Sequence, residues 1–235
     1  MEMPGLKTRQ QHALKVSRIL EPNYPVCRLG NKLNPLDEYL YIVLSLRTHE
    51  HGLHRAYKGF KKAFPAWRDA SRASVSKIAA AISSAGLADQ RAKRIHSAIS
   101  LIKRKLGETS LRRLRRMPQE EVEHFLLSLA GIGLKSARCI MMYSLGFSVL
   151  PVDIHVARIS RRVGLTTHAN SNALHADLAR IVPPQHRYAF HVCCVQHGRT
   201  VCRGHKPRCD ECCLSRLCRK IGVKDSWSSG IAPKD

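Results

Sequence analysis

The chain has 235 residues, 44% of them hydrophobic, with 40 lysine and arginine residues against 17 acidic ones, a formal net charge of +23. This length and apolar content exclude a largely disordered chain and allow one large or two small domains. The charge is typical of a protein that binds an extended polyanion, because each neutralised phosphate releases a counterion. A ribosomal or membrane-surface protein stays open on charge alone.

The sequence contains no segment that predicts a membrane span. Its most apolar stretch, residues 139–152, is interrupted by serine, glycine and proline, and a span needs about 20 apolar residues. The N-terminus lacks the apolar core of a signal peptide. We therefore expect no membrane association and a reducing compartment, the cytoplasm with its nucleoid in a bacterium or archaeon and the nucleus otherwise. Nine cysteines in such a compartment favour a metal site over disulfides.

Helical periodicity runs along the chain, and no alternating strand pattern is present. A helix-like pattern begins close to the N-terminus, and Pro35 opens the next helix, whose apolar residues share one face. Further helices are predicted over 74–85, 87–106, from 118 onward, and over 135–145, 154–163, 172–182 and 185–196. The fold class is therefore all-α, with about ten helices. We expect two helical lobes with a binding cleft between them.

A glycine-containing segment, residues 129–135 (the hairpin), joins two of these amphipathic helices. Gly131 and Gly133 let the backbone approach a ligand closely, and the amide groups that begin the next helix favour an anion such as a phosphate. Lys135 follows directly and can contact that phosphate. Taken alone, the two glycines are equally compatible with a tight connection. Asp153, 18 residues after Lys135, stands immediately before a predicted helix, where an N-cap role is also open.

Four cysteines near the C-terminus follow the spacing Cys202-x6-Cys209-x2-Cys212-x5-Cys218. Four thiolates in so short a segment (the cysteine loop, residues 202–218) can bind an iron–sulfur cluster or zinc. Zinc sites more often use two close cysteine pairs, whereas here only one pair is close. Cys213 does not fit the spacing, and unreactive buried cysteines remain the third alternative.

The hairpin, the Val152-Asp153 pair, the His197-Gly198-Arg199 segment and the cysteine loop together resemble the endonuclease III family of helix-hairpin-helix DNA glycosylases. They occur in the same order and spacing, and the similarity extends from about residue 36 to residue 218. The resemblance implies a six-helix barrel domain over residues 28–147. It also implies a discontinuous domain of residues 1–27 and 148–235, in which Cys202, Cys209, Cys212 and Cys218 bind a [4Fe-4S] cluster.

The resemblance implies catalytic roles for Lys135 and Asp153. A deprotonated amine can displace a base from the anomeric carbon of its sugar and form a Schiff base. A cationic and partly desolvated environment would lower the pKa of such a lysine. A carboxylate nearby can stabilise the positive charge that develops on the sugar and transfer protons. Without the resemblance, a phosphate contact for Lys135 and an N-cap for Asp153 are the simpler interpretations.

The same family pattern predicts further contacts with DNA from Gly131, Gly133 and Arg199. Arg47 stands where the family has a glutamine that fills the gap left by a flipped base. Leu87 matches a second wedge position, at which an apolar side chain pushes between base steps; its alternative role is to cap a helix by apolar packing. Cations of the helix over 87–106 are candidates for phosphate contacts, although some must point elsewhere: Arg91, Lys93, Arg94, Lys103, Arg104 and Lys105.

Two departures from the family pattern concern the segment that follows Arg47. Glu50 replaces the usual aspartate, and histidines occur at positions 49, 51 and 54. This run is interpreted as a solvated helix edge or part of the base pocket rather than as a metal site, because no ligand spacing fits well. These differences bear on the preferred base and leave the reaction class unchanged.

The implied function is a base excision repair glycosylase with lyase activity, acting as a monomer. Its partner would be double-stranded DNA with a damaged or modified pyrimidine or an abasic site. A 5-methylcytosine or mismatch glycosylase of the same fold is an alternative, because Gly131 to Ser136 also resembles plant glycosylases. A glycosylase without strand cleavage and a non-catalytic, cluster-bearing DNA-binding or redox-sensing protein are the other two.

Overall fold

A computed structural model describes residues 4–46 and 48–224. Within those residues the chain forms α-helices joined by short 3-10 turns and loops, and no β-strand, so the predicted all-α class is confirmed. The helices are α1 (Leu6–Leu20), α2 (Pro35–Ser45), α3 (Glu50–Ala63), α4 (Trp67–Ala70), α5 (Val75–Ala81), α6 (Ala88–Leu106), α7 (Gln119–Leu127), α8 (Leu134–Cys139), α9 (Ile154–Arg162), α10 (Ser171–Ile181) and α11 (Arg187–Thr200).

Local sequence signals account for several helix ends. Pro35 occupies the first position of α2, and the side chain of Asn34 accepts hydrogen bonds from the amides of Leu36 and Asp37, which the helix itself cannot pair. Helix α6 ends at Gly107, whose φ of +77° suits a residue without a Cβ. Such signals depend only on neighbouring residues in the chain, and helix ends of this kind can therefore be predicted from the sequence.

The structure corrects two predicted elements and adds a helix that was not predicted. The helix expected over 74–85 stops at Ala81 and continues as a 3-10 turn over Ser83–Ala85. The helix expected over 135–145 is α8 followed by a π-helical segment, Ile140–Leu145. Helix α3 was not delimited from the sequence, because histidines and glycines interrupt its apolar positions.

One compact unit is formed by Gly30–Phe147 and contains α2 to α8. Its interior holds Tyr39 and Phe60 together with Ile78, Ile95 and Ile102, all fully buried. These side chains come from α2, α3, α5 and α6, so the core is built between helices. Leu129 and Ile132 of the hairpin are also buried, whereas Gly131 and Gly133 are exposed. The six-helix barrel expected for residues 28–147 stays a prediction.

The second unit combines α1 with the chain from Ser148 onward, and so contains α9, α10 and α11. Its core includes Leu20, Val156, Leu178, Phe190 and Cys194. The cysteines of the cysteine loop pack partly buried against this core. In the part of the chain that is described, no helix is long and apolar enough to cross a membrane.

Candidate functional site

The hairpin connects α7 to α8 through backbone conformations that suit glycine. Gly131 has φ +85°, a region that side chains rarely adopt, and a Cβ there would lie 3.3 Å from Cδ of Arg94. Gly133 precedes α8 with an extended backbone and has nothing within 4 Å of an added Cβ. The first glycine is therefore required by the turn, while the second leaves open space through which a ligand could reach the backbone.

A buried tyrosine fixes the hairpin to the neighbouring helices. The hydroxyl of Tyr39, on α2, donates toward the carbonyl of Ala130 at 2.9 Å and toward that of Arg94 at 3.2 Å. Burial raises the pKa of Tyr39, so this hydroxyl stays a donor at neutral pH. The hairpin is thus attached to α2 and α6 by a hydrogen bond that water does not reach.

Lys135 lies on the first turn of α8, and its side chain is exposed. The partial desolvation expected for it is therefore not provided by the described residues, because the turn that carries it faces outward. A carboxyl group lies within electrostatic range: the charge of Lys135 is among the influences that lower the pKa of Glu38. The cationic environment expected for Lys135 stays a prediction.

Glu38 is fully buried in the first turn of α2. Its carboxyl accepts hydrogen bonds from Asn31 Nδ2 at 2.5 Å and from the amide of Lys32 at 2.6 Å. Burial raises the pKa of Glu38, and these hydrogen bonds and the two lysine charges oppose the rise. Sequence reasoning did not identify this residue; the signal available was a carboxyl in a helix that is apolar on nearly every side.

Asp153 is the N-cap of α9, and the structure shows the capping role that the sequence allowed. Its Oδ1 accepts from the amides of His155 at 2.9 Å and Val156 at 2.8 Å, and the residue is half-buried. Burial lowers the pKa of His155, and the charge of Asp153 opposes that shift. Ile154, the residue between them, is 72% exposed.

The candidate wedge residues differ in what the structure describes. Leu87 is the N-cap residue of α6, has φ +47° and is 61% exposed, so it does not pack as an apolar cap. Arg47 lies outside the described residues.

Arg91 is buried and so is not a phosphate contact, whereas Arg94 is half-buried and the remaining basic candidates of α6 are exposed: Lys93, Lys103, Arg104 and Lys105.

Arg199 and the histidine run were both expected at the surface. Arg199 is exposed on the last turn of α11, and its charge contributes to the lowered pKa of His155 after burial and the Arg158 charge. His49, His51 and His54 are partly or fully exposed, and His54 pairs with Glu50 at 3.6 Å. This arrangement fits a solvated helix edge. Among the described residues, no three histidine, cysteine or acidic side chains are arranged to hold a single metal ion.

The four spaced cysteines line one cavity in the unit that contains α9. Cys202, Cys209, Cys212 and Cys218 are all among the residues that line it, and Cys213 is not. Four cysteines at one cavity are the number of ligands that a [4Fe-4S] cluster requires. Donors for thiolate sulfur are present: Arg162 Nη1 lies 3.3 Å from Cys202 Sγ, and the amide of Lys220 lies 3.3 Å from Cys218 Sγ.

At the cysteine loop, burial disfavours the thiolate form of the cysteines, whereas a buried cation favours it. Burial raises the pKa of the Cys212 thiol to about 12, and the neighbouring cysteines add to that rise. Arg162, itself buried, also donates to the carbonyls of Arg203 at 2.6 Å and Gly204 at 3.2 Å. Several thiolates can coexist here only with compensating positive charge, which Arg162 and a bound metal group would both supply.

Two arginines of α9, the helix that Asp153 caps, attach the cysteine loop to that helix. Arg158, one turn before Arg162, donates to the carbonyls of Cys202 and Gly198, each at 2.9 Å. Gly198 is required at that crossing, because a Cβ would lie 2.5 Å from His155 Nδ1. Sequence reasoning missed both arginines, whereas it named Arg91 but gave it a phosphate contact; the available signal was a basic residue four positions from apolar neighbours on one helix face.

Helices joined by a hairpin of this kind are typical of helix-hairpin-helix proteins. Residues 41–184, well over half of the chain, match the HhH-GPD superfamily of base excision DNA repair proteins. The chain belongs to that superfamily, and the expected likeness to endonuclease III is confirmed.

Relatives and solved structures agree with this assignment. Endonuclease III of Synechocystis sp. is 28% identical over 217 residues, which cover 91% of this chain and 94% of that protein. DNA glycosylase/AP lyase ROS1 of Arabidopsis thaliana is 27% identical over 65% of this chain. A non-covalent endonuclease III–DNA complex superposes with a TM-score of 0.75 at 24% identity, covering 90% of this chain and 95% of that one, which shows the fold.

The matched lengths of the plant relatives are shorter. This chain spans 12% of ROS1. It spans 56% of a further Arabidopsis thaliana protein, described as a candidate DNA glycosylase, with 31% identity over 165 residues, or 70% of this chain. The similarity therefore concerns the helical region described above and not the whole of those larger proteins.

Proposed function

We propose that this protein is a base excision DNA glycosylase with lyase activity that removes a damaged or modified pyrimidine from duplex DNA. The observation that carries the proposal is an exposed lysine, Lys135, two residues after the second glycine of the hairpin in an HhH-GPD chain. A nucleophile that must reach a sugar from the protein surface has to be exposed in the DNA-free protein. A relative named for both activities, ROS1, supports the pairing of glycosylase and lyase.

The proposed reaction begins with the unprotonated Nζ of Lys135. It attacks the anomeric carbon of the sugar as the bond to the base breaks, and the base leaves with a proton. Ring opening converts the adduct to a Schiff base between Nζ and the former anomeric carbon. The Schiff base acidifies the neighbouring sugar hydrogen, whose removal expels the 3′ phosphate by β-elimination. Water then releases the sugar fragment and restores the amine.

Asp153 supplies the carboxylate in this proposal. One of its oxygens caps α9, and this bond holds the side chain in place at the start of the helix. A fixed carboxylate stabilises the positive charge that develops on the sugar and accepts or returns a proton. The capping role and the catalytic role are therefore compatible, since the cap orients the group that would act.

Binding of the duplex would rest on phosphate contacts. Gly131 and Gly133 present backbone at the surface of the hairpin, and the exposed cations of α6 and Arg199 add positive charge. Such contacts hold and orient DNA without reading its sequence. Leu87, exposed in a left-handed conformation, and Arg47 would fill the space of a base that has left the stack.

The cysteine loop fits a [4Fe-4S] cluster held by Cys202, Cys209, Cys212 and Cys218. Their shared cavity, the sulfur contact of Arg162 and the position of Cys213 outside the lining support four cysteine ligands, and the spacing with a single close cysteine pair favours the cluster over zinc. When bound, the group would cross-link the loop and hold its basic residues in fixed positions. No step of the proposed reaction uses it.

Borohydride trapping tests the proposal directly. Borohydride reduces a Schiff base to a stable protein–DNA adduct, so we expect an adduct with one or more duplexes carrying 5,6-dihydrouracil, 5-hydroxycytosine, 5-methylcytosine or an abasic site. Lys135→Gln should abolish the adduct and strand cleavage, whereas Lys77→Gln, an exposed lysine on α5, should change neither. A folded Lys135→Gln protein that is trapped at the wild-type rate would show that the mechanism is wrong.

A further inference from the structure

The guanidinium of Arg91 connects α6 to the end of α2. Arg91 lies in the first turn of α6 and is 3% exposed. Its two terminal nitrogens donate to the carbonyls of Leu44 and Leu46. Carbonyls in the last turn of a helix have no partner within that helix. Arg91 therefore caps α2 and fixes the path of the chain as it enters the segment of residues 46–49, which we call the loop 46–49.

A second contact attaches the other side of the same loop. Oγ1 of Thr48 donates to the carbonyl of Ala85 at 2.9 Å. Just beyond, α3 packs closely on the 3-10 turn, because a Cβ on Gly52 would lie 2.9 Å from the carbonyl oxygen of Ser84. Residues on both sides of position 47 are therefore bonded to the segment 83–91.

That segment also carries Leu87. Its backbone is left-handed, and its side chain is mostly exposed, two features that are each unfavourable for a leucine. The amide of Arg91 donates to the carbonyl of Leu87 at 3.1 Å. The residue that holds the end of α2 is thus one helical turn from the exposed leucine, and a movement of either would displace the other.

We propose that Arg91 is a positioning residue that couples the loop 46–49 to Leu87, so that the two wedge segments enter a duplex as one rigid body. The inference rests on the proposed function, because it assigns to those segments the task of replacing a flipped base. Burial lowers the pKa of Arg91 and makes its charge costly. A residue whose only role was to stabilise α2 would need no charge, because water can pair with the carbonyls at an exposed helix end.

The coupling would matter only when a base must leave the stack. Extrusion of a paired base requires unstacking, and the enzyme offsets this cost by filling the gap. A base that is already unpaired in a short bubble requires less of that work. A positioning role therefore predicts a selective loss on paired substrate, whereas general destabilisation lowers the rate on both substrates.

The test compares single-turnover rates on the modified base of the panel above that wild-type protein removes fastest, the abasic site being left out, placed either in a fully paired duplex or in a short unpaired bubble. Arg91→Met should lower the duplex-to-bubble rate ratio by about tenfold or more, because the gap-filling segments would no longer offset the free-energy cost of unstacking the base. Arg91→Lys, which keeps one donor to the carbonyls, should restore part of the ratio. Thr48→Val, which removes only the second contact, should give a smaller loss in the same direction.

Arg68→Met is the matched control, because this arginine of the same unit has a side chain that is 80% exposed. It should leave the ratio unchanged. Rates that fall equally on both substrates in Arg91→Met and Arg91→Lys would overturn the coupling, as would an unchanged ratio in folded Arg91→Met. A wild-type protein that processes neither substrate would instead refute the proposed function, so the two failures are distinguishable.

Discussion

Helix α9 of one unit and helix α6 of the other perform the same structural task with different means. Each places arginines against the backbone carbonyls of a neighbouring loop: Arg158 and Arg162 hold the cysteine loop, and Arg91 holds the loop 46–49. Each helix also begins at a residue with a proposed function, Asp153 or Leu87. In both units a buried arginine of the helix donates hydrogen bonds to the backbone of a neighbouring irregular segment.

The two units differ in what else holds the loop. The cysteine loop contains four cysteines around one cavity, so a metal group would add covalent links to the arginine contacts. Among the described residues of the loop 46–49, the carbonyl of Leu46 accepts a hydrogen bond from Arg91, and the hydroxyl of Thr48 donates one to Ala85. We therefore expect the first loop to depend on metal and to be rigid once loaded, and the second to depend on single side chains.

Removal of the metal group gives the largest expected effect. Cys209→Ser should yield a protein without the yellow-brown colour and the roughly four irons per chain expected of the wild type. Its cysteine loop should lose protection from amide exchange, while α2 to α6 keep theirs, because the two loops are held independently. Cys213→Ser is the matched control and should retain iron. Stoichiometric zinc in a colourless, anaerobically prepared wild-type sample would contradict the assignment.

Asp153→Asn separates the catalytic role of this residue from its capping role. Asparagine caps a helix about as well as aspartate, so the melting temperature should change little. Base excision should fall by at least about a hundredfold, the usual contribution of a positioned acid–base group. Cleavage of a preformed abasic site should fall less, because no base has to leave. If Asp153→Asn leaves both the melting temperature and the rate of base excision unchanged, the role of Asp153 is that of a helix cap alone.

The same comparison shows how far the sequence could predict this molecule. Helix ends marked by Pro35 or Gly107, and the spaced cysteines, depend on neighbours in the chain and were predicted. The contacts of Arg91 and Arg162 were not predicted, because their partners are distant in the sequence. The carbonyl of Leu46 is 45 residues from Arg91, and the carbonyl of Arg203 is 41 residues from Arg162. The exposure of Lys135 likewise depends on which side of α8 faces the core.

Gly198→Ala tests how tightly α9 is held against α11. The added methyl would lie 2.5 Å from His155 Nδ1 and 2.8 Å from its Cβ, too close for the helices to remain in place. Overpacking of this kind costs about 1–3 kcal/mol. We expect a lower melting temperature and faster loss of iron to a chelator. Gly133→Ala, at a position with nothing within 4 Å of the new Cβ, should leave the melting temperature unchanged.

The smallest expected effect comes from the outer face of α6, and it completes the contrast with Arg91 on the inner face. Arg104 is exposed near the end of the helix. If it contacts one phosphate, Arg104→Gln should reduce the slope of log affinity against log salt by about 1 for undamaged duplex. The duplex-to-bubble rate ratio should stay constant, because a phosphate contact does not help a base to leave the stack. Arg91→Met should do the reverse, changing the ratio and not the slope. An unchanged slope in Arg104→Gln would place the DNA elsewhere than on the C-terminal end of α6.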